Sequence, residues 1–465
     1  MITTALPVSE GLKVLASPIR LSSPEKVMSP FSSLSRSLVA ELSQCIGHRV
    51  KLQGFVEAIR DQKRMRFIVL RDPTGKVQLT QSKDNTALTG ALDALTPESA
   101  VIVIGSVVAA PSVKLGGLEI LIESVEICGL ADPQLPIAYD SGPDKWMDHR
   151  QVSLRYPGQQ LVFAVQTTLE AAMRAFWQQN GFCEIHSPKL MGTASESGAE
   201  VFAVKYFDTK AFLAQSPQFY KQMAIAGGME RVFEIGPVFR AEPSFTSRHE
   251  TEFTSIDMEM GWIEDHHELM AFEERWLAHA IGTVVEVHGP QIQALYGVSI
   301  APPSLPFPKV TFSEALAILA RLGHVPARHD DLDAEGERLL CEHIAAETDH
   351  EFVFITDYPA SGRAFYHMRH EDRPDLTKGF DLLWRGLEIT TGAQREHRHN
   401  RLVAQAQERG MRLDNLSDYL DFFRFGCPPH GGMGVGLGRI LMRLLNAASI
   451  REVTLLSRTP KRLRP

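Results

Sequence analysis

Five short apolar runs follow one another near the N-terminus, and they constrain the fold of this chain more than any other feature. Turn-forming sequences such as Asp72-Pro73-Thr74-Gly75 separate the runs, which cover residues 50–56, 67–70, 77–79, 101–108 and 118–127. Runs this short, with turns between them, are typical of strands rather than helices. Five of them in so short a stretch predict a small closed β-barrel, with the OB-fold as the candidate topology.

The pattern changes on both sides of this predicted barrel. Residues 1–35 are rich in Ser and Pro and show no sustained period, which predicts a mobile N-terminal extension. We place the barrel at residues 36–130, a linker at 131–150 and a second domain at 151–465. The second domain opens with a helical pattern from Val162 that Gly181 ends, and strands and helices then mix to the end. We therefore predict an α+β chain with at least two domains.

Composition excludes several classes of protein. The five cysteines lack the CxxC spacing of zinc sites, and their scatter suits a reducing compartment better than a disulfide framework. Apolar runs stay shorter than the roughly 18 residues that a membrane-spanning helix needs. A secretory signal is not recognisable either. These observations predict a cytoplasmic protein that does not enter membranes. The net charge of -8 does not exclude nucleic-acid binding, because binding needs only a local basic patch.

One such basic patch lies inside the predicted barrel. Between Arg49 and Lys76 the chain carries eight basic residues and only three acids. Phe67 lies within this stretch and could stack on an unpaired base. The alternative is a solvated β-hairpin in which Phe67 belongs to the core. The residues alone leave both interpretations open.

The second domain contains three polar segments that suit a phosphate site. The first is a hairpin with Arg240 and Glu242 before its loop and Arg248, His249 and Phe253 after it. Guanidinium groups match phosphate oxygens in geometry, and an aromatic ring can stack on a purine. A salt-bridged surface hairpin is the alternative.

The other two segments are a carboxylate pair and a Gly-rich run. Asp381 and Glu388, on and beside a predicted strand, could hold Mg²⁺ or could pair with Arg385 or Arg395. Residues 431–439 place glycines at the start of a helix, where backbone N–H groups can bind phosphate. This run lacks the GK[ST] of a P-loop and the βαβ setting of a Rossmann fingerprint.

The order of these segments resembles the three signature motifs of class II aminoacyl-tRNA synthetases. Glu184-Ile185-His186-Ser187-Pro188-Lys189 is similar to the first, the hairpin with Arg240 and Arg248-His249 to the second, and Gly434-x-Gly436-x-x-Arg439 to the third. In that family the first motif lies at a dimer interface, and an antiparallel sheet flanked by helices binds ATP. The resemblance therefore implies a homodimer, with ATP as substrate and Mg²⁺ as its metal.

Finer matches resemble the aspartate enzymes of the archaeal and eukaryotic type. Ser216-Pro217-Gln218-Phe219-Tyr220-Lys221-Gln222 is similar to their SPQLYKQ segment, and the asparagine enzymes usually have Leu where Lys221 stands. Gly392-Ala393-Gln394-Arg395 and Pro428-Pro429-His430-Gly431-Gly432 also match. An OB barrel before the catalytic domain suits the same subclass. The implied activity is ATP-dependent formation of aspartyl-adenylate and transfer of aspartate to the 3′ end of tRNA.

The resemblance also implies a role for individual residues. For aspartate it implies Glu196, Gln218, Lys221, Arg240, Thr391 and Arg395. For ATP it implies Arg240, Glu242, Arg248, His249, Phe253, Glu388, Gly436 and Arg439, with Arg240 and Arg439 as the catalytic residues. For Mg²⁺ it implies Asp381, Glu388 and Thr391. In the barrel it implies that Phe67 stacks on an anticodon base and that Gln78 reads one.

Three positions depart from the family pattern: Ser197, Gly438 and Ser457. At Gly438 the family usually has an acid, so we expect Gly438→Glu to lower the KM for ATP. The departures leave open a paralog that passes activated aspartate to a non-tRNA acceptor, and a non-catalytic regulator that binds tRNA. The barrel favours tRNA-Asp as the acceptor, while charging of tRNA-Asn stays open. The intact set Arg240, Asp381, Glu388 and Arg439 favours an enzyme.

Overall fold

The structure is a computed structural model that describes residues 34–193, 201–243 and 246–464. The chain divides between Leu135 and Pro136 into two compact units. This division falls inside the segment predicted as a linker, residues 131–150. That segment is not wholly irregular, because it also contains a short helix, Pro143–Asp148, that belongs to the second unit.

The first unit is the predicted barrel. Its elements are β1 Arg49–Asp61, β2 Met65–Asp72, β3 Gly75–Ser82, α1 Thr86–Asp93, β4 Ala100–Ala109 and β5 Leu118–Gly129. The strands close in the order β1-β2-β3-β5-β4, and β3 runs parallel to β5. All five predicted strands are confirmed.

Alternation along the strands separates the barrel core from its surface. On β2, Ile68 and Leu70 point inward and are fully buried, whereas Phe67 and Val69, which alternate with them, are only partly buried. Glycine allows two strands to cross closely, since a Cβ on Gly54 would overlap the carbonyl of Arg71. Phe67 therefore lies outside the core of the barrel.

The second unit combines one large sheet, one small sheet and surrounding helices. Its helices are α2 Pro143–Asp148, α3 Arg150–Ser153, α4 Pro157–Gln179, α5 Gln218–Ala226, α6 His266–Tyr296, α7 Phe312–Arg321, α8 Ala334–Thr348, α9 His399–Glu408, α10 Ser417–Arg424 and α11 Leu437–Leu444. Its strands are β6 Cys183–Glu184, β7 Leu190–Met191, β8 Ala203–Tyr206, β9 Thr209–Leu213, β10 Arg231–Phe239, β11 Glu252–Gly261, β12 Lys309–Thr311, β13 Phe352–Thr356, β14 Gly379–Trp384, β15 Glu388–Arg395 and β16 His430–Gly436.

The large sheet has the order β12-β13-β14-β15-β16-β11-β10-β6. Its six inner strands are antiparallel, as predicted, while the edge strands β12 and β6 each pair in parallel with their neighbour. The order places β11, β15 and β16, which are distant in sequence, side by side at the centre.

Helices α4 and α6 cover one face of this sheet and form the main core with it. Trp177 of α4 stacks on Trp276 of α6 with ring centroids 4.7 Å apart, and both rings are almost fully buried. Pro157 begins α4 in the position where a missing N–H costs nothing, and Asp265 caps α6 by accepting from His267 N. Within the described residues, helices long enough to cross a bilayer are too polar to do so.

Candidate active site

A cavity of about 300 Å³ opens above the centre of the large sheet. It is lined by the β10–β11 hairpin, the ends of β15 and β16, the start of α11 and a loop around residues 362–367. Twelve of the residues proposed from the sequence line it together: Gln218, Lys221, Arg240, Glu242, Arg248, His249, Phe253, Glu388, Thr391, Arg395, Gly436 and Arg439. Because these residues come from five separated segments, their convergence is a product of the sheet order.

One end of the cavity carries two cations held by two buried acids. Lys221 donates to Asp257 Oδ1 at 2.9 Å and to the carbonyl of Met433 at 3.1 Å, and its ammonium lies 3.4 Å from Glu259 Oε2. Arg395 donates through Nε to Glu259 Oε1 at 3.0 Å. Glu259 thus lies between the two cations and fixes their separation.

His367 completes this end of the cavity as a neutral group. Burial lowers its pKa well below the usual range, and the nearby charge of Arg395 lowers it further. Its Nε2 lies 3.3 Å from Arg395 NH1. The imidazole therefore adds hydrogen-bonding capacity here without adding a third positive charge.

The other end of the cavity carries arginines around an aromatic ring. The guanidinium carbon of Arg240 lies 5.4 Å from the centroid of Phe253. Arg248 donates to Glu337 Oε2 at 2.7 Å. Burial lowers the pKa of His249 to about 4, with Arg439 and Arg248 adding to the effect. At neutral pH His249 can therefore donate a hydrogen bond to an anion but does not bring a charge.

Glu388 and Arg439 meet where β15 begins. Arg439 NH1 donates to the carbonyl of Glu388 at 2.8 Å and to its Oε1 at 3.2 Å, and Thr391 donates to the same Oε1 at 3.1 Å. Burial raises the pKa of Glu388, but Arg439 and then Arg363 outweigh it and hold the pKa below the usual range. The carboxylate is therefore charged and faces the cavity.

Asp381, predicted with Glu388 as a Mg²⁺ ligand, is paired with an arginine of the protein. It does not line the cavity, and both of its oxygens accept from Arg363, at 2.9 and 2.5 Å. Arg363 in turn lies over the ring of Tyr358 at 3.6 Å. The alternative predicted for Asp381 was pairing with Arg385 or Arg395, and the observed partner is neither. In this arrangement the carboxylate of Asp381 is occupied by a cation of the protein.

Two family matches account for both units of the chain. Residues 142–460 match the family of tRNA synthetases class II (D, K and N). The chain belongs to the class II tRNA synthetases. Residues 50–128 match the OB-fold nucleic acid binding domain, which agrees with the closed barrel of this synthetase.

Two curated relatives match nearly the whole synthetase. The aspartate–tRNA(Asp) ligase of Thermococcus kodakarensis is 41% identical over 90% of this chain and 97% of its own length. The aspartate–tRNA(Asp/Asn) ligase of Aeropyrum pernix is 42% identical over 92% of this chain and 98% of its own.

Solved structures show the same fold. An asparaginyl-tRNA synthetase from Pyrococcus horikoshii, complexed with asparaginyl-adenylate, has a TM-score of 0.85 at 32% identity. It covers 93% of this chain and 100% of that one. A putative aspartyl-tRNA synthetase from Leishmania major has a TM-score of 0.86 at 27% identity and covers 97% of both chains.

Several residues of the cavity were not predicted from the sequence. They are Asp257, Glu259, Arg363, Tyr366 and His367, and all except Glu259 line the cavity. A signal for the first two was present. In Ile256-Asp257-Met258-Glu259-Met260 the acids alternate with apolar residues, so both acids lie on the same face of a buried strand. Buried acids on one face of a strand indicate cations opposite them.

The structure describes two of the three departures from the family pattern. Gly438 lines it, and Ser457 is fully buried. A Cβ on Gly438 would lie 2.8 Å from the side chain of Ile450, which makes glycine a packing requirement at this position. Ser197 and the proposed aspartate residue Glu196 lie outside the described residues.

The barrel of this synthetase presents a polar outer face. Phe67 and Thr80 are cross-strand partners, and Gln78 lies two residues from Thr80 on the same face. Gln78 and Thr80 both donate to Glu119 Oε2, at 3.0 and 2.5 Å. Because Gln78 donates through its amide nitrogen, its side-chain carbonyl oxygen can still accept a hydrogen bond on that face.

The basic patch predicted for the barrel is smaller than its sequence indicates. Arg66 and Arg71 are buried and form ion pairs with Asp93 and Glu98, respectively. Buried arginines held by carboxylates stabilise the barrel and are not accessible to phosphate. Arg60, Lys63 and Arg64 are exposed and therefore accessible to phosphate.

Proposed function

We propose that this synthetase activates L-aspartate with ATP and transfers the aspartyl group to the 3′ end of tRNA. The observation that carries the proposal is the pair Lys221 and Arg395, which face one cavity with arginines at its other end. The curated relatives at about 40% identity carry the name aspartate–tRNA ligase. Together they support an aspartate–tRNA ligase.

The buried cations explain the choice of amino acid. Two positive groups bind a side-chain carboxylate through charge-assisted hydrogen bonds, which are stronger than those a neutral amide in the same position can form. The longest contact of Lys221, 3.4 Å to Glu259, is also its weakest. A substrate carboxylate can replace this contact without breaking the stronger bond to Asp257.

The reaction needs no side-chain nucleophile, because the α-carboxylate of aspartate itself attacks the α-phosphorus of ATP. The protein must align the two and stabilise the negative charge that develops on the phosphate. Arg240 and Arg439 are proposed for this role, since both line the cavity. Phe253 and Glu242 are proposed to bind the adenine, and Arg248 and His249 the outer phosphates.

Mg²⁺ is proposed to enter with ATP. Its donor set is only partly present, since no three His, Cys, Asp or Glu side chains of the described residues converge on a metal site. Glu388, charged and facing the cavity, is a hard oxygen ligand of the kind Mg²⁺ prefers, and Thr391 adjoins it. Phosphate oxygens of ATP would complete the coordination. Bound there, Mg²⁺ neutralises phosphate charge.

Further parts of the proposal concern partners and location. The outer face with Phe67 and Gln78 is proposed to bind the anticodon of tRNA-Asp. The segment Glu184–Lys189, next to the edge strand β6, is proposed as a homodimer contact, which sedimentation at several concentrations tests. All five cysteines are free thiols, and this supports a cytoplasmic location.

Charging with labelled aspartate tests the proposal directly. We expect aspartylation of a tRNA-Asp transcript, and the yield on a separate tRNA-Asn transcript decides whether both are substrates. ATP–pyrophosphate exchange in the same preparation reports adenylate formation alone. Aspartate-dependent exchange without charging of either transcript would support the non-tRNA acceptor. Absence of exchange would contradict the proposed activity.

A further inference from the structure

Glu337 of α8 lies behind the cavity and touches two segments of the active site at once. Its Oε2 accepts from Arg248 NH1 at 2.7 Å and from the backbone N–H of Glu388 at 3.1 Å. Its side chain is 5% exposed, so these contacts rather than water satisfy the carboxyl group. The carboxylate does not line the cavity and so does not reach a substrate.

A tight turn between β14 and β15 lets α8 pack close to the active site. Trp384 and Leu387 exchange backbone hydrogen bonds around Arg385 and Gly386, which both have positive φ. A Cβ on Gly386 would lie 3.0 Å from the Cα of Arg338. Glycine therefore satisfies the turn and also lets α8 pack against it. This packing places Glu337 beside the first residue of β15.

Arg248 gains a fixed position from this arrangement. It lies in the loop between β10 and β11, and a long arginine side chain there would otherwise sample many rotamers. A carboxylate at 2.7 Å restricts the guanidinium while its remaining N–H groups stay available for an anion. The same carboxylate holds the backbone of Glu388, so the phosphate-binding arginine and the proposed metal ligand share one anchor.

We propose that Glu337 is a positioning residue. It keeps Arg248 where it can bind the outer phosphates of ATP, and it fixes the position of Arg248 relative to Glu388. The proposal rests on the function proposed above. Since Glu337 acts through Arg248, its loss should weaken the use of ATP and leave the use of aspartate unchanged. Lys221 and Arg395 lie on α5 and β15 and keep their own partners.

The experiment measures ATP–pyrophosphate exchange in the full-length protein. We expect Glu337→Ala to raise the KM for ATP about tenfold, with the KM for aspartate within about twofold of the native value. Glu337→Gln keeps an acceptor oxygen and should raise the KM for ATP only about threefold. Glu335→Ala is the matched control, because Glu335 lies on the same helix and pairs with Arg338 at the surface. It should leave both constants unchanged.

A double-mutant cycle with Arg248→Ala separates positioning from a general structural role. In the Arg248→Ala background, Glu337→Ala should raise the KM for ATP much less than in the native background, because only the contact with the Glu388 N–H is left to lose. If Glu337→Ala does not fold, the same cycle is run with Glu337→Gln. The proposal is overturned if Glu337→Gln leaves the KM for ATP unchanged, or if it raises this KM equally with and without Arg248.

Two other results would also overturn it. Equal rises in the KM for ATP and for aspartate would indicate a general structural role for Glu337. A lower KM for ATP in Glu337→Ala would mean that Glu337 holds Arg248 away from the nucleotide. Native aspartate-dependent exchange, measured first, tests the proposed function separately.

Discussion

The ammonium of Lys221 lies 2.9 Å from the carboxylate of Asp257, and both side chains are at most 5% exposed. Such a pair is expensive to bury, and removing one partner leaves the other charge uncompensated. Lys221 is therefore present in a fixed position before any substrate arrives. Its charge belongs to a network with Asp257, Glu259 and Arg395 that aspartate can join.

Lys221→Leu is expected to abolish the preference for aspartate. The change removes one of two cations that would face the substrate carboxylate, so exchange with aspartate should fall by roughly two orders of magnitude or more. The measurement compares pyrophosphate exchange with aspartate and asparagine.

The control for this prediction neutralises Asp257, the acid that loses its cation in Lys221→Leu. Lys221→Leu combined with Asp257→Asn restores neutrality in the core, and its melting temperature should exceed that of Lys221→Leu alone. If the double variant also regains aspartate use, Lys221 serves only to neutralise Asp257, and the proposed selectivity is wrong.

The elements of the fold could be predicted where a pattern is local. Alternation along β2 distinguishes its buried Ile68 and Leu70 from Phe67, and five such strands with turns between them specify a barrel. The order of the motifs predicts the residues proposed for catalysis, Arg240 and Arg439. Their actual meeting depends on β15, β16 and β11 being neighbours in the sheet, which is not a local property.

Partners that come from distant segments escaped prediction for the same reason. Arg363 reaches Asp381 from a loop between β13 and β14, and the sequence offers no period that would reveal this contact. The basic residues of the barrel show the converse case. The charge of the segment from Arg49 to Lys76 does not include Glu98, which lies on another segment and neutralises Arg71.

Phe67→Ala should weaken tRNA binding by roughly 1–3 kcal/mol through the loss of stacking on a base. Pyrophosphate exchange without tRNA should stay unchanged, since Phe67 belongs to the compact unit that does not contain the cavity. Filter binding of tRNA-Asp measures the first effect. Ile68→Ala is the control from the barrel core and should lower the melting temperature. A similar loss of stability in Phe67→Ala would mean that Phe67 is a core residue.

Glu250 should make stability depend on pH. Burial raises its pKa to about 7, although Ser457 and Thr454 oppose this effect. Between about pH 4.5 and 7 the unfolded chain loses a proton that the native protein keeps, so the native state becomes less stable as the pH rises. The full cost, up to about 3 kcal/mol, is present above pH 7.

Glu250→Gln removes this cost and is expected to raise the melting temperature at pH 8 but not at pH 5. Glu314 provides a control of opposite sign, because hydrogen bonds from the backbone and side chain of Thr311 lower its pKa. Glu314→Gln should lower the melting temperature at pH 8. Equal shifts at both pH values in Glu250→Gln would contradict the assignment.

Gly438 connects the packing of α11 to the ATP end of the cavity. A Cβ at this position would lie 2.8 Å from both Cγ1 and Cδ1 of Ile450, a buried residue. The backbone N–H of Ile450 donates to the carbonyl of Ser247 at 2.8 Å, and Ser247 precedes Arg248. A side chain at 438 therefore displaces Ile450 and, through it, the arginine proposed for the outer phosphates.

This geometry reverses the expectation drawn from the sequence. Gly438→Glu should raise the KM for ATP instead of lowering it, and Gly438→Ala should do the same to a smaller extent, by about threefold to tenfold, equivalent to roughly 0.7–1.4 kcal/mol. The KM for aspartate should not change, because Lys221 and Arg395 are on other elements.

Gly289→Ala is the control, since its Cβ would meet Val285 at an ordinary 3.7 Å. Adding Ile450→Val to Gly438→Ala relieves the overlap at Cδ1 and should recover part of the lost affinity. A lower KM for ATP in Gly438→Glu would show that the acid of the family pattern can be accommodated, and that Ile450 does not restrict this position.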